Sequence, residues 1–195
     1  VYEQKLIGRR NIRVETASGN MTLELTPEND VIVNMGPPIL APADVPFIPE
    51  SSDKSQAVSY KIEVAGHGRI ELGAVSMGNP HAVIIVDDID TAAVETLGPL
   101  VEAHTSFPAK VNAGFMQIIN RNHIKLRVFE RGVGETKACG TGACGAVVSG
   151  ILRGLLDHTV QVDLPGGALT IKWDGQGDVI MTGPTSNVFE GRVNI

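Results

Sequence analysis

A cysteine lies within the most glycine-rich stretch of the chain. Residues 132–144 read GVGETKACGTGAC, and they place Cys139 directly before a run of small and apolar residues that predicts a helix. The N-terminus of a helix carries about half a positive charge and several unpaired N–H groups, which stabilise a thiolate and lower its pKa. The N–H groups of Gly140, Thr141 and Gly142 would also hold a carboxylate. This stretch therefore favours a base beside an anion site, the pair of features that removes a proton next to a carboxylate.

Both cysteines also fit a structural interpretation, because free cysteine is often a small buried apolar residue. The residues alone leave Cys139 open between a reactive and a structural thiol. They place Cys144 in the core, five positions further along the predicted helix. The spacing is poor for a disulfide, and no pair of histidines lies nearby to complete a zinc site. We therefore expect free thiols, a reducing compartment such as the cytoplasm, and no metal.

Two further groups of polar residues interrupt apolar strands. Asn79 and His81 belong to SMGNPH, where Asn-Pro marks a turn. Polar groups that enter an apolar strand must be hydrogen-bonded, so His81 fits either a structural or a catalytic role. Asn112 belongs to VNAGF, and Glu130 and Arg131 directly precede the glycine-rich stretch. The last two fit either a surface ion pair, which stabilises little, or a place beside the site.

The elements that must position these residues are mostly strands. Segment 141–156 is apolar on nearly every side, which predicts a helix buried from all directions. Asp90 and Thr91 are suited to cap a shorter helix over 92–97, which could resume to residue 103 past Gly98 and Pro99. Alternating or apolar runs predict strands over 12–16, 21–25, 31–33, 58–64, 70–75, 82–86, 113–119, 123–129, 160–164, 169–173 and 179–182. The predicted fold is α+β, a mixed or antiparallel sheet curled around a central buried helix.

Composition excludes several classes of protein. The chain has 195 residues, a formal net charge of -6 and 43% apolar residues. No apolar run approaches the length of a membrane span, and the first residues do not resemble a signal peptide. The acidic balance argues against nucleic acid as a partner. Segment 37–49 contains too many prolines for a helix or a central strand, so we interpret it as an exposed connection between domains.

The motifs GNPH, NAGF, ER followed by GVGET, and ACGTGAC occur in this order. Together they resemble the diaminopimelate epimerase family. The resemblance implies an isomerase of lysine biosynthesis that interconverts LL- and meso-diaminopimelate. It implies a cofactor-independent, pyridoxal-free mechanism in which one thiolate takes the α-proton and a thiol on the opposite face returns one. It also implies a cytoplasmic homodimer whose partner molecule is the small substrate.

The resemblance assigns a role to each matching residue. Cys139 matches the second of the family's two catalytic cysteines, and Gly140 and Thr141 match the groups that hold the reacting α-carboxylate. The distal end of the substrate is assigned to Asn79, Asn112 and Arg131. Glu130 matches a further substrate contact, and His81 and Glu130 match residues that tune the cysteines. Phe189 stands where many members have a tyrosine in the dimer interface.

The resemblance also implies a two-domain protein. Residues 1–40 and 184–195 are expected to be remnants of an N-terminal domain, and residues 41–183 an intact C-terminal domain. The family's other catalytic cysteine lies in a CGNG-type motif, which is expected upstream of Val1, so the chain alone is expected to be inactive. Two alternatives stay open: a cysteine acyl-transferase or hydrolase that pairs Cys139 with His81, and an amino-acid-binding fragment without catalysis.

Overall fold

The computed structural model describes residues 8–16, 19–50, 57–186 and 191–192. Within these residues the chain is α+β, with a mixed sheet and few helices, as the sequence predicted. The strands are β1 (Asn11–Thr16), β2 (Gly19–Leu25), β3 (Asp30–Asn34), β4 (Tyr60–Val64), β5 (Gly68–Ser76), β6 (Pro80–Ile85), β7 (Asn112–Asn120), β8 (His123–Glu130), β9 (Gly134–Thr136), β10 (Thr159–Leu164), β11 (Gly167–Lys172) and β12 (Ile180–Pro184). The helices are α1 (Val94–Glu102) and α2 (Gly140–Leu152). None of the described helices is both long and apolar enough to cross a membrane.

The described strands form a sheet in the order β1-β2-β3-β12-β11-β10-β8-β7-β6-β5-β4, and β9 pairs with β8. Most neighbours are antiparallel, whereas β6 pairs in parallel with β7, and β10 with β8. The parallel register of β6 and β7 places His81 opposite Asn112. The β8–β9 pairing sets Glu130 opposite Gly134. The sheet therefore brings three of the four sequence motifs to adjacent strand ends.

Helix α2 carries the glycine-rich stretch into the core. Its residues from Gly142 to Gly150 are all buried. The helix packs among the larger of two apolar clusters, which also holds side chains of β5, β6, β7, β8, β10 and β11. Gly145 permits a close approach, since a Cβ there would lie 3.3 Å from the Cβ of His81. The predicted end at residue 156 is wrong: the helix ends at Leu152 because Gly154 adopts a left-handed φ of +71°.

The expected cap of the first helix is also wrong. Helix α1 begins after Ala93, which provides no side-chain cap. Asp90 and Thr91 lie before it in a turn held by Asp88, whose Oδ1 accepts the Asp90 N–H at 3.0 Å. The Thr91 hydroxyl donates to the same carboxylate at 3.3 Å. The two polar residues therefore close a local turn, which competes with helix capping for the same side-chain groups.

The proline-rich segment is less exposed than the sequence suggested. Val45 and Phe47 are 0% and 2% exposed and belong to a second apolar cluster. The Phe47 ring lies 4.7 Å from that of Tyr60 and 4.8 Å from that of Phe107, between ring centroids. Ile39 also pairs with Ser76. The interpretation as an exposed connection is therefore wrong for Val45 and Phe47, while the division into two domains stays a prediction.

Candidate active site

Cys139 occupies the N-cap position of α2, where the sequence placed it. Its backbone is extended, with φ of -142° and ψ of 100°, and its carbonyl oxygen accepts the Ala143 N–H at 2.9 Å. The side chain is 6% exposed, and its Sγ lies 3.8 Å from the Oγ1 of Thr141. Gly142, one position before Ala143, presents its N–H to the sulfur. The helix end therefore supplies polar groups to one face of the thiol.

The expected lowering of the Cys139 pKa is wrong. The pKa of this thiol is raised to about 11, chiefly by burial, which the Gly142 N–H and the Thr141 hydroxyl only partly oppose. The charge of Glu130 and its hydrogen bond to the thiol contribute to the raised pKa to a smaller extent. Desolvation of the thiolate raises the pKa more than the helix N-terminus lowers it. Cys139 is therefore a neutral thiol at neutral pH rather than a thiolate.

Cys144 has the structural position that the sequence indicated. Both cysteines are free, and Cys144 is fully buried inside α2. Burial raises its pKa to about 12, with a smaller contribution from Cys139. A thiol enclosed in this way neither ionises readily nor meets a ligand. Cys139, at the start of the helix, is the less enclosed of the two thiols.

Glu130 is held by a neighbour that the sequence analysis did not assign. The Thr136 hydroxyl donates a short hydrogen bond to Glu130 Oε1. Thr136 belongs to β9, which a two-pronged ion pair fixes against β8: Arg127 donates to the Glu135 carboxylate at 2.6 and 2.8 Å. Thr136 is part of the GET motif in the sequence, but its contact with Glu130 depends on the antiparallel pairing of β8 with β9. Thr136 thus orients the carboxylate that faces Cys139.

Asn112 joins two strands to the loop after β8. Its Nδ2 donates to the Pro80 carbonyl oxygen at 2.9 Å, and its Oδ1 accepts the Arg131 N–H at 2.9 Å. The Arg131 Nη1 donates to the Ala109 carbonyl oxygen at 2.9 Å. Glu130 and Arg131 thus have separate partners and do not form the surface ion pair considered from the sequence. A buried amide satisfied on both sides fixes this corner of the site.

His81 is buried on β6, where the strand pairing sets it beside Asn112 of β7. Its Nε2 lies 3.1 Å from Asn79 Oδ1, which requires the proton on Nε2 because the amide oxygen only accepts. Its pKa is lowered to about 4, chiefly by burial and to a smaller extent by the nearby Arg131 charge. His81 is therefore a neutral imidazole at neutral pH. Its contacts account for a structural role, and a tuning effect on Cys139 stays a prediction.

The described site residues lie in two linked groups. Hydrogen bonds join Asn79 to His81 and Asn112 to Arg131, and the strand pairing sets His81 beside Asn112. Glu130 faces Cys139, which precedes Gly140 and lies next to Thr141 at the start of α2. Thr141 also lines a cleft of about 710 Å³, which lies between segment 34–37 on one side and Met77 and Gly78 on the other. That volume suits a small organic ligand. Phe189 lies outside the described residues, and the described residues contain no cluster of three metal-ligating side chains.

Comparisons with known proteins identify the family. A family model described as diaminopimelate epimerase matches residues 73–188, more than half of the chain. The diaminopimelate epimerase of Thioalkalivibrio sulfidiphilus is 55% identical over 197 residues, a match that covers 100% of this chain and 69% of that protein. That of Pseudomonas aeruginosa PAO1 is 53% identical over 196 residues, again with 100% and 69% covered.

Solved structures share the fold at low identity. A probable proline racemase from Agrobacterium radiobacter K84 has a TM-score of 0.61 and 17% identity, covering 91% of this chain and 59% of its own. A hydroxyproline epimerase from Agrobacterium vitis has a TM-score of 0.60 and 16% identity, covering 94% and 60%. The chain thus spans about three fifths of these two proteins. By its sequence matches, the chain belongs to the diaminopimelate epimerase family.

Proposed function

We propose that this chain takes part in the interconversion of LL- and meso-diaminopimelate in lysine biosynthesis, with Cys139 as one of two acid–base thiols. The position of Cys139 carries this proposal. The thiol is at the N-cap of α2, next to backbone donors and the Thr141 hydroxyl, and Thr141 opens onto a ligand-sized cleft. A group that exchanges a proton with Cα must lie beside the site that binds the α-carboxylate.

We place the α-carboxylate of the substrate against the N–H groups of Gly140 and Thr141. A carboxylate there is stabilised by the positive end of the helix, and its Cα then lies over the Cys139 sulfur. Because the thiol is protonated at neutral pH, it gives its proton to the planar carbanion on its own face. In the reverse direction the thiolate takes the same proton back. Neither direction requires a metal or an organic cofactor.

Inversion also needs an acid–base group on the other face of Cα. The 195 residues contain two cysteines, and Cys144 is fully buried within α2. Residues 1–195 therefore bring a single thiol to the proposed site. We assign the second thiol to a segment outside these residues. That segment would belong to one domain, to which residues 1–40 and 184–195 also contribute, and residues 41–183 would form the second domain.

We also infer that the sheet curls around α2, and that the protein is a cytoplasmic homodimer.

The distal end of the substrate is assigned to Asn79, Asn112 and Arg131, and Glu130 is assigned a contact with substrate. A substrate with a charged group at each end must be held at both ends for Cα to meet the sulfur. Arg131 supports this assignment because a guanidinium has five donors, of which one is used by Ala109. A carboxylate is the ligand for which the remaining donors are best arranged.

Deuterium exchange tests the proposal. In heavy water, residues 1–195 should introduce deuterium at Cα of one diaminopimelate stereoisomer without producing the other, at a rate that rises with pH as Cys139 ionises toward its pKa of about 11. Cys139→Ser should abolish this exchange, and Cys144→Ser should retain it, since the buried thiol does not reach the substrate. Conversion of LL- to meso-diaminopimelate by residues 1–195 alone would contradict the assignment of a second thiol elsewhere.

The alternative of a cysteine hydrolase has less support from the contacts. Such an enzyme needs the imidazole within hydrogen-bond reach of the sulfur. The described contacts instead join His81 to Asn79 and Cys139 to Thr141. A burst of product from an activated ester, lost in both Cys139→Ser and His81→Gln, would restore that alternative.

A further inference from the structure

Glu102 is a buried carboxylate in an unfavourable place. It is the last residue of α1 and is 8% exposed. The C-terminal end of a helix is partially negative, so a carboxylate there is destabilising, and burial adds a desolvation cost. Its ion-pair partner Lys110 has a side chain that is 57% exposed, with Nζ 3.4 Å from Glu102 Oε1. An ion pair of that length with an exposed lysine does not offset the cost, so another contact must account for Glu102.

That contact is with the loop that carries Arg131. The Glu102 Oε1 accepts the Gly132 N–H at 2.8 Å. Gly132 adopts a φ of +75°, so the loop turns sharply at the point where the carboxylate holds it. The preceding residue, Arg131, is held by Asn112 through its own N–H. Two consecutive backbone N–H groups are therefore fixed by buried side chains from different elements, and a charged acceptor makes one of these bonds strong.

We propose that Glu102 is a positioning residue that sets the place of the Arg131 guanidinium relative to the distal carboxylate of the substrate. This inference rests on the proposed function, because it takes the distal carboxylate as the ligand of Arg131. A guanidinium binds a carboxylate with two parallel hydrogen bonds only over a narrow range of positions. Glu102 does not touch the substrate, and it acts through Gly132 on the backbone next to Arg131.

Binding selectivity provides the test. Dissociation constants for meso-diaminopimelate and for L-lysine, which lacks the distal carboxylate, are measured by calorimetry on the chain and its variants. Glu102→Ala should weaken diaminopimelate binding about tenfold and leave lysine binding within about twofold. Glu102→Gln keeps an oxygen that accepts the Gly132 N–H, so it should stay within about threefold for both ligands. Equal weakening of both ligands in Glu102→Ala would show a general structural effect and overturn the proposal.

Lys110→Gln is the matched control. It removes the ion pair but leaves the Gly132 contact, so both dissociation constants should match those of the unchanged chain. A loss of diaminopimelate selectivity in Lys110→Gln as large as that in Glu102→Ala would assign the effect to the ion pair and reject the proposal.

Amide hydrogen exchange separates this inference from the proposed function. The Gly132 N–H of the ligand-free chain should exchange at least tenfold faster in Glu102→Ala, and to a smaller extent in Glu102→Gln. If the unchanged chain binds no diaminopimelate, the proposed function fails, and Gly132 exchange alone decides whether Glu102 holds the loop. If Glu102→Ala does not fold, Glu102→Gln takes its place, and unchanged Gly132 exchange in that variant counts against the proposal.

Discussion

The stability of the fold should depend on pH between 7 and 5 because His81 is buried in its neutral form. Burial lowers the pKa of this imidazole from 6.5 to about 4, with Arg131 as a smaller cause. The unfolded chain therefore binds a proton in a range where the folded chain does not. Its stabilising effect is fully present above pH 6.5, and it is lost as the pH falls toward 4.

The size of the effect follows from the two pKa values. The complete shift corresponds to about 3 kcal/mol, at about 1.4 kcal/mol for each pKa unit. Between pH 7 and pH 5 the free energy of unfolding should fall by about 2 kcal/mol through His81 alone. This range avoids Asp163, whose pKa is lowered by hydrogen bonds from Gln161 and His123 and which loses its charge only in stronger acid.

Urea unfolding at pH 7 and at pH 5 measures this difference. His81→Gln should lower stability at pH 7, but its further loss at pH 5 should be smaller than that of the unchanged chain by about 2 kcal/mol. His67→Gln is the matched control, since His67 is exposed, and it should retain the full pH dependence. An equal pH dependence in the His81→Gln variant would refute the reasoning, as would a His81 imidazole that titrates near pH 6.5 by NMR.

Three further outcomes are expected. Alkylation of Cys139 by iodoacetamide should be slow at pH 7 and rise with an apparent pKa of about 11, and a plateau near pH 8 would contradict the effect of burial. Thr136→Val should lower that apparent pKa, because it removes the hydrogen bond to Glu130 and lets this carboxylate turn away from the sulfur. Thr136→Ser should keep the apparent pKa, and an unchanged titration in the valine variant would count against this contact. Ser149→Ala should raise stability by about 1 kcal/mol in thermal unfolding, since its buried hydroxyl has no partner among the described residues; a loss of similar size would indicate a missed hydrogen bond.

The sequence was most informative where local chemistry decides the structure. Alternation of apolar residues located the strands, and the composition around Cys144 located α2. The glycines beside Cys139 placed that residue at a helix N-cap, because the start of a helix depends on a few adjacent residues. The strand pairings then brought His81 opposite Asn112, a proximity that the motifs suggested only through resemblance.

The failures arise where distant residues decide the structure. The pKa of Cys139 depends on how completely other strands exclude water from it, and no local pattern gives that extent. The burial of Phe47 depends on Tyr60 and Phe107, which follow it by many residues. Likewise Glu102 meets a backbone N–H 30 positions away. Such contacts are set by topology, so the motifs were visible in the sequence but the distant residues that hold them in place were not predictable from it.

The raised pKa of Cys139 indicates in which direction this thiol first transfers a proton in the proposed site. The α-carboxylate would neutralise the positive helix end at the N–H groups of Gly140 and Thr141, and it adds a negative charge beside Glu130. Both effects keep the sulfur protonated while the substrate is bound. The first proton removal in such a complex must then come from a base on the other face, and Cys139 returns a proton to the carbanion. The thiolate that this step produces is met by the Gly142 N–H and the Thr141 hydroxyl, the groups that favour it in the free chain. Burial and the helix N-terminus therefore act at different stages of the proposed reaction, the first on the thiol before proton transfer and the second on the thiolate after it.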